Sequence, residues 1–345
     1  MSSKQYANTQ PAGFTNRIER VAVVGASGTV GTGVVRELLK TGKHTITAIT
    51  RASGGSANLP DGVKVAPVDY DDEASLVNAL KGQQFLMISL PSSAISTIQP
   101  KLIAAAGKAG VPYIMPNCYG PDFVNESLAK ETLTGDMVRG GLADVERTGT
   151  ASWIALVCSF WYEFSLSFNA NSYGFDIPNK KVTFFDDGST RINTSTWDQC
   201  GRAVASLLSL KELPDDENDK SPTVSDWKNK PLYISSFKVS QREMLDSIQR
   251  VQGTTDADWV IEHESSSERY KRGQEILKTG DYGGFVICLY TRVFYPNGDG
   301  DIEERYGLAN GVLGLPKEDL DEASARAIEL AAKNANPYQA KGGKR

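Results

Sequence analysis

Short apolar runs alternate with stretches of helical periodicity through the first half of the chain. Val21–Val24 is an uninterrupted apolar run, which is typical of a strand covered on both faces. Val34–Leu39 then has helical spacing, and Gly42 stands where a helix cap belongs. The same alternation predicts strands at Thr45–Thr50, Val63–Val68, Phe85–Leu90, Val111–Met115 and Trp153–Val157, and helices at Glu73–Leu80, Ile98–Ala109 and Ala143–Arg147. This order predicts a Rossmann-type α/β fold, in which a parallel sheet is doubly wound.

The second half is less regular and predicts a smaller lobe. Its clearest elements are helices at Gln199–Leu210, Arg242–Gln252 and Asp321–Lys333 and a strand at Leu232–Phe237, whereas residues 254–316 have no assignment. We therefore expect an N-terminal arm (1–17), a nucleotide-binding domain (18–170), a lobe that is mainly substrate-binding (171–338) and a loose tail (339–345). Two segments of this lobe, at about 198–210 and 231–238, are expected to return to the hydrophobic core of the first domain.

Composition narrows the class of protein. With 345 residues, 40% hydrophobic and 23% charged, the chain is typical of a globular protein, and a net charge of -5 argues against nucleic-acid binding. Its longest apolar run, Trp153–Trp161, is too short to span a membrane. The four cysteines are scattered, which favours reduced thiols over disulfides or zinc. We expect a cytoplasmic monomer or homodimer that holds no metal.

A glycine turn joins the first strand to the first helix. Its three glycines follow the spacing Gly-x-x-Gly-x-x-Gly, which permits a tight turn, close approach of a pyrophosphate and close helix packing. The helix N-terminus supplies amides and a favourable dipole for the phosphates. A purely structural turn is the alternative. The predicted cofactor contacts here are Gly25, Ser27, Gly28, Thr29, Val30 and Gly31.

The end of the second strand indicates which dinucleotide is bound. An enzyme that prefers NAD places an acidic residue there, whereas this chain has Arg51, which can bond a 2′-phosphate. NADP(H) is therefore predicted, and a solvated arginine is the alternative. Thr50 and Ser53 are expected to assist, and Asp69 either bonds the adenine amino group or caps its strand. Further cofactor contacts are expected where the fourth strand ends, at Leu90, Pro91 and Ser92, and after the fifth strand, at Asn117.

Over residues 18–240, the chain resembles the NmrA-like and isoflavone-reductase-like branch of the atypical short-chain dehydrogenases. The glycine turn, Arg51 and the segment Pro116-Asn117-Cys118-Tyr119-Gly120 carry the resemblance, and the last is most similar to fungal members. The resemblance implies an NADPH-dependent reductase, often of secondary metabolism. It also implies that Ala151–Phe164 lines the nicotinamide and the substrate.

The residues that move a proton in related enzymes are missing here. The chain has no Tyr-x-x-x-Lys pair, and Gly135–Arg139 contains no lysine where the isoflavone-reductase branch has one. Arg139 cannot replace that lysine because a guanidinium keeps its proton. The candidates at strand ends are Tyr119, Asn117, Tyr162 and Glu163, with Glu163 acting as an acid if burial raises its pKa. An aromatic substrate is expected to contact Tyr119, Phe160, Trp161, Tyr162 and Tyr173.

Three functions are compatible with these residues. The first is a reductase that delivers hydride from NADPH to a carbonyl or conjugated double bond of a small aromatic or polyketide-like compound. The second is a dinucleotide-sensing regulator without turnover, which the missing lysine favours. The third is a non-redox isomerase or dehydratase on the same scaffold, because a fold does not fix its chemistry.

Overall fold

A seven-stranded parallel sheet forms the centre of the protein. The computed structural model describes residues 5–52 and 59–333. Strands and helices are numbered along the chain, and the sheet has the order β3-β2-β1-β4-β5-β6-β11. Its strands are β1 (Arg20–Val24), β2 (Thr45–Arg51), β3 (Lys64–Val68), β4 (Phe85–Ile88), β5 (Tyr113–Met115), β6 (Ser152–Val157) and β11 (Lys230–Tyr233). The predicted doubly wound sheet is confirmed.

Helices cover both faces of this sheet, which explains why its strands are apolar throughout. Helix α1 (Thr29–Thr41) packs with α7 (Trp197–Leu208) on one face. On the other face, α3 (Ser92–Ala109) packs with α2 (Glu73–Leu80) and α5 (Gly135–Arg147). Alternate residues of β1 follow this division, since Val21 and Val23 join the first hydrophobic core and Ala22 and Val24 join the other.

A second assembly, with its own hydrophobic core, comprises two small three-stranded sheets and several helices. The sheets have the orders β12-β10-β7 and β13-β9-β8. Their strands are β7 (Phe160–Trp161), β8 (Phe175–Asp176), β9 (Lys181–Phe185), β10 (Arg191–Ser195), β12 (Phe237–Ser240) and β13 (Val260–Glu264). The remaining helices are α4 (Glu126–Glu131), α6 (Tyr162–Phe168), α8 (Gln241–Gln252), α9 (Ser266–Lys278), α10 (Tyr282–Val293), α11 (Ile302–Tyr306) and α12 (Leu320–Ala332).

The structure moves some of the expected boundaries. The second core already includes Phe160, Tyr162 and Leu166, which precede the boundary expected at residue 170. Residues 254–316, which had no assignment, contain β13 and three helices. Helix α7 packs on α1, and β11 is an edge strand of the main sheet. The expected tail, 339–345, lies outside the described residues.

The expected end of the fourth strand is wrong. Strand β4 ends at Ile88, and Leu90, Pro91 and Ser92 lead into α3 instead of closing the strand. Pro91 has a φ of -62° and directly precedes the helix, which begins at Ser92. A proline fits this position because its fixed φ suits a helix start. The serines of the first turn interrupt the apolar spacing, which is why the sequence placed the start of this helix only at Ile98.

Candidate functional site

The glycine turn lies at the carboxyl end of β1 and cannot accommodate side chains at two of its glycines. A Cβ at Gly25 would lie 1.9 Å from the carbonyl oxygen of Ser89, and Gly25 also has a φ of +78°. A Cβ at Gly31 would lie 2.0 Å from the carbonyl oxygen of Gly25. The turn is closed by a hydrogen bond of 2.8 Å from the Gly28 amide to the Gly25 carbonyl. Strand and helix therefore approach more closely here than any other residue type would allow.

The amides that open α1 face an exposed rim. Gly28 directly precedes the helix and has no side chain to cap it. The first amides of a helix have no carbonyl one turn earlier to bond, so a ligand or water must satisfy them. Ser27, Gly28 and Thr29 are exposed, whereas Val30 is buried against the first core. The rim thus has the polarity and the accessibility that an anionic group needs.

Arg51 is an exposed cation at the end of β2. Its guanidinium has no ion pair or hydrogen bond with the described part of the chain. Burial raises the pKa of the neighbouring Tyr70, and the charge of Arg51 partly opposes that rise. Thr50 precedes Arg51 in β2 and is half-buried. Ser53, the third residue expected here, lies outside the described residues.

Asp69 has a local role in the structure. Its carboxylate accepts a hydrogen bond of 2.9 Å from the Asp71 amide, and its own amide bonds the Ser75 hydroxyl at 3.2 Å. These bonds form the turn between β3 and α2. The capping role that the sequence left open is thus present, and a contact with adenine stays a prediction.

Asn117 connects the ends of two strands. Its side-chain oxygen accepts a hydrogen bond of 2.7 Å from the Leu90 amide, and its own amide donates to Gln99 at 2.8 Å. The first bond ties the segment after β5 to the segment after β4. Asn117 therefore fixes the backbone on which Leu90, Pro91 and Ser92 are displayed.

Tyr119 follows β5, and its hydroxyl is already engaged. It donates a hydrogen bond of 2.8 Å to the Ile88 carbonyl, at the end of β4. Burial raises the pKa of Tyr119 well above its ordinary value, and the buried thiols of Cys118, Cys158 and Cys200 add to the rise. The nearby Asp122 carboxylate accepts hydrogen bonds of 3.0 and 2.9 Å from the hydroxyls of Tyr233 and Tyr306.

Three aromatic residues expected in the substrate site belong to the second core. The hydroxyls of Tyr162 and Ser324 share a hydrogen bond of 2.8 Å, and those of Tyr173 and Thr194 share one of 3.0 Å. Phe160 stacks on Tyr290 with ring centroids 4.2 Å apart. Tyr162 and Tyr173 have no exposed surface. The expected substrate contacts of Phe160, Tyr162 and Tyr173, and proton transfer by Tyr162, are therefore wrong, because residues distant in the chain pack over these side chains.

Glu163 is a buried carboxyl with one unpartnered oxygen. Its Oε1 accepts a hydrogen bond of 3.2 Å from the Nε atom of Arg326 on α12, and the Nη2 atom of the same guanidinium lies 3.1 Å away in an ion pair. Its Oε2 is covered and has no partner among the described residues. Burial raises the pKa of Glu163 to about 7, and the Arg326 guanidinium offsets only part of that rise. A carboxyl of this kind can hold and release a proton near neutral pH.

The aromatic residues that remain half-buried form what we call the aromatic wall. Phe164 contacts Trp161 edge to face, with centroids 5.8 Å apart, and stacks on Phe168 at 5.4 Å. Its centroid lies 6.4 Å from that of Trp197. Trp161 and Trp197 also pack against the first core, as does Tyr119. The wall is thus Trp161, Phe164, Phe168 and Trp197.

Sequence reasoning missed several residues of this site. Arg326 lies 163 positions from Glu163, and no local pattern connects them. Ser159, between β6 and β7, has a φ of +55°, which is strained for a serine and often marks a functional site. Trp197 begins α7, and its place just before the helix predicted at Gln199–Leu210 could have suggested a position near the sheet.

Other polar candidates lie away from this site or are engaged. His44 precedes β2, at the amino end of the sheet, and bonds the Ile18 carbonyl at 2.8 Å. His263 is exposed and bonds the Asp186 carbonyl at 2.9 Å. Arg139 bonds Asp136 at 3.0 Å. The described residues contain no group of three potential metal ligands, and none of their helices has the length and apolar character that a membrane crossing requires.

Comparisons with known proteins agree with this architecture. The sequence profile of the NmrA-like family matches residues 18–134. Oxidoreductase aprR of Aspergillus flavus is 27% identical over 316 residues, which cover 90% of this chain and 99% of that protein.

Two solved structures have the same fold as this chain. One, of pinoresinol-lariciresinol and phenylcoumaran benzylic ether reductases, has a TM-score of 0.66 and 18% identity, and the match covers 91% of this chain and 98% of that one. The other, of AtPrR2 with NADP+ and (+)pinoresinol, has a TM-score of 0.62 and 19% identity, and the match covers 92% and 99%.

Proposed function

We propose that the protein is an NADPH-dependent reductase. Its substrate is a small aromatic or polyketide-like compound that carries a carbonyl or a conjugated double bond. This proposal is supported by the match of residues 18–134 to the NmrA-like family. The observation that carries this proposal is the unpaired Arg51 beside a glycine turn whose helix amides are exposed.

The residues present fit a phosphorylated dinucleotide. The amides of Thr29, Val30 and Gly31 are positioned to bond a pyrophosphate, and only glycine fits beneath it at Gly25 and Gly31. Arg51 offers several coplanar N–H donors to a 2′-phosphate. Binding the phosphate breaks no ion pair or hydrogen bond of Arg51 with the described residues. Support also comes from AtPrR2, a protein of the same fold that was solved with NADP+. When bound, NADPH supplies a hydride to the substrate.

Glu163 supplies the proton in this proposal. Reduction of a carbonyl or an enone needs one proton at the oxygen or carbon that does not receive the hydride. A carboxyl with a pKa of about 7 is half protonated near neutral pH, and its free Oε2 is the oxygen that donates. Arg326, which is partly exposed, holds Oε1 and orients the carboxyl.

Tyr119 and Asn117 have a positioning role in this scheme. The Tyr119 hydroxyl bonds the carbonyl of Ile88, and the Asn117 oxygen bonds the amide of Leu90. Together they hold both sides of the short segment that follows β4. That segment leads into the N-terminus of α3 and lies at the edge of the sheet where ligands of open α/β folds bind.

The proposed reaction is tested by measuring NADPH oxidation with a panel of aromatic ketones, enones and quinones. We expect at least one class to be reduced, with a product that carries one added hydride and one added proton. A protein that binds NADPH but reduces no member of the panel would contradict the proposal. Product analysis with and without NADPH separates reduction from the non-redox isomerase or dehydratase.

A regulator without turnover is the second candidate function. It is favoured by one observation: Arg139 occupies the stretch where related enzymes have a lysine, and its guanidinium is bonded to Asp136. Such a protein would bind oxidised and reduced cofactor and a protein partner. Measurable turnover without a captured partner excludes it.

A further inference from the structure

The aromatic wall lies at the carboxyl end of the main sheet, on the same side as the glycine turn. Trp161 follows the end of β6, as Tyr119 follows the end of β5. Trp197 opens α7, and its carbonyl would lie 3.4 Å from a Cβ placed at Gly33, close to the start of α1. The wall therefore lies at the same end of the sheet as the proposed cofactor site and presents flat apolar surfaces.

Two polar atoms of the wall lack the partners that buried donors need. The indole N–H groups of Trp161 and Trp197 are covered from solvent and have no hydrogen-bond partner within the described ranges. By contrast, Trp153 bonds Glu146 at 2.9 Å and Trp259 bonds Thr254 at 3.2 Å. Buried donors without partners are rare in native proteins and call for an explanation. Here both belong to one cluster of rings.

We propose that Trp161 and Trp197 determine substrate specificity, by donating hydrogen bonds to neutral acceptor oxygens of a planar aromatic substrate. The inference rests on the proposed function in one respect, namely that the bound aromatic compound is the substrate of the reductase. An indole N–H is a donor only, so its partner must be an acceptor such as a carbonyl or ring oxygen. The flat faces of the four rings favour a planar ligand that stacks or packs edge to face.

Charges around the wall disfavour an anionic ligand. Glu163 precedes Phe164 in the chain, and Glu318 bonds Thr196, the residue before Trp197, at 2.9 and 2.8 Å. The guanidinium groups of Arg326 and Arg202 are already paired with these two carboxyls. A ligand carboxylate beside these two carboxyls would therefore find neither guanidinium available to neutralise it. Neutral oxygens avoid this cost.

The test compares two ligands of equal ring number by isothermal titration calorimetry without cofactor. Chromone is a two-ring ketone whose polar atoms are acceptors only, and naphthalene has no polar atom. We expect the wild-type protein to bind chromone about tenfold more tightly than naphthalene, in line with one or two added hydrogen bonds. Trp161→Phe and Trp197→Phe keep an aromatic ring but remove the donor, and each should lower this preference by about threefold or more.

Trp259→Phe is the matched control, because its indole is partnered and lies on the segment before β13, outside the wall. It should leave the preference unchanged. Thermal unfolding of each variant shows whether it folds, and if one wall variant does not, the other carries the test. Equal preference in wild type and both wall variants, or no binding of either ligand, would overturn the inference. Because no NADPH is present, these outcomes are independent of whether the protein proves to be a reductase.

Discussion

The glycine turn and the Glu163 region, at the same end of the sheet, are built in different ways. The turn consists of seven consecutive residues and acts through its backbone, so its geometry depends on where side chains are absent. The region around Glu163 depends on side chains from α6, α7 and α12, which are far apart in the chain. The first can be predicted from a spacing pattern, whereas the second exists only after the chain has folded.

Their electrostatics differ in the same way. Arg51 is exposed and has no ion pair or hydrogen bond within the described residues, so its guanidinium is available to bind a ligand phosphate. Glu163 is buried and paired on one side, so its properties come from desolvation rather than from a free charge. This difference suggests that the glycine turn and Arg51 determine cofactor affinity and that Glu163 carries out proton transfer. The experiments below test that division.

Glu163→Gln should have the largest effect on turnover. The amide keeps the size of the side chain but cannot donate a carboxyl proton, so we expect turnover to fall by about 10²–10⁴-fold. The dissociation constant for NADPH should not change, because the cofactor contacts lie on the turn side. Steady-state kinetics and calorimetry measure the two quantities. Glu275→Gln, at an exposed position on α9, is the control. Full activity of Glu163→Gln would remove the carboxyl from the reaction.

The pH dependence of stability tests the burial of the same carboxyl. Because burial raises the pKa of folded Glu163 from 4.5 to about 7, the folded state keeps a proton that the unfolded chain loses between these values. The associated stability is therefore complete below about pH 4.5 and is lost as the pH rises through about 7. The free energy of unfolding should fall by up to about 3 kcal/mol relative to that of Glu163→Gln. Urea unfolding of both proteins at several pH values measures the difference, and parallel curves would contradict the raised pKa.

Much of the fold could be predicted because its information is local. The strands of the main sheet are buried on both faces, so each appears as a short apolar run, and the glycine spacing marks the first turn. Trp161 and its neighbour Tyr162 were both expected in the substrate site, but Trp161 lies half-buried in β7 whereas Tyr162 packs under α12. Neighbouring residues point to opposite sides of the backbone, so one of the two can be buried while the other is not. Here the position of α12 determines that Tyr162 is the buried one, and the sequence around Tyr162 does not reveal that position. The Arg326 partner of Glu163 and the αL conformation of Ser159 left no pattern in the sequence.

Gly31→Ala tests the backbone side of the comparison. Its Cβ would lie 2.0 Å from the Gly25 carbonyl, so strand and helix must separate. We expect a loss of about 1–3 kcal/mol in the free energy of unfolding, together with weaker NADPH binding. Gly140→Ala is the matched control, because a Cβ there meets nothing within 4 Å and the residue lies within α5. That substitution should be neutral or slightly stabilising, and equal losses in both variants would contradict the close approach at the turn.

Tyr119→Phe should have the smallest effect and separates the two proton-donor candidates. The variant loses the hydrogen bond to the Ile88 carbonyl, which costs about 1 kcal/mol of stability. Turnover should be largely retained if Tyr119 only positions the backbone after β4. A loss of about 100-fold in turnover, with Glu163→Gln active, would transfer the role of acid to this phenol.

The central claim is that Arg51 and the glycine turn bind a 2′-phosphorylated dinucleotide. Calorimetric titration of the wild type and Arg51→Ala with NADPH and with NADH tests it most directly. We expect the wild type to prefer NADPH, and the substitution to weaken NADPH binding by about 10–100-fold while leaving NADH binding unchanged. Arg147→Ala, at the exposed end of α5, should alter neither. Equal losses for both cofactors, or no heat of binding with NADPH, would contradict the claim.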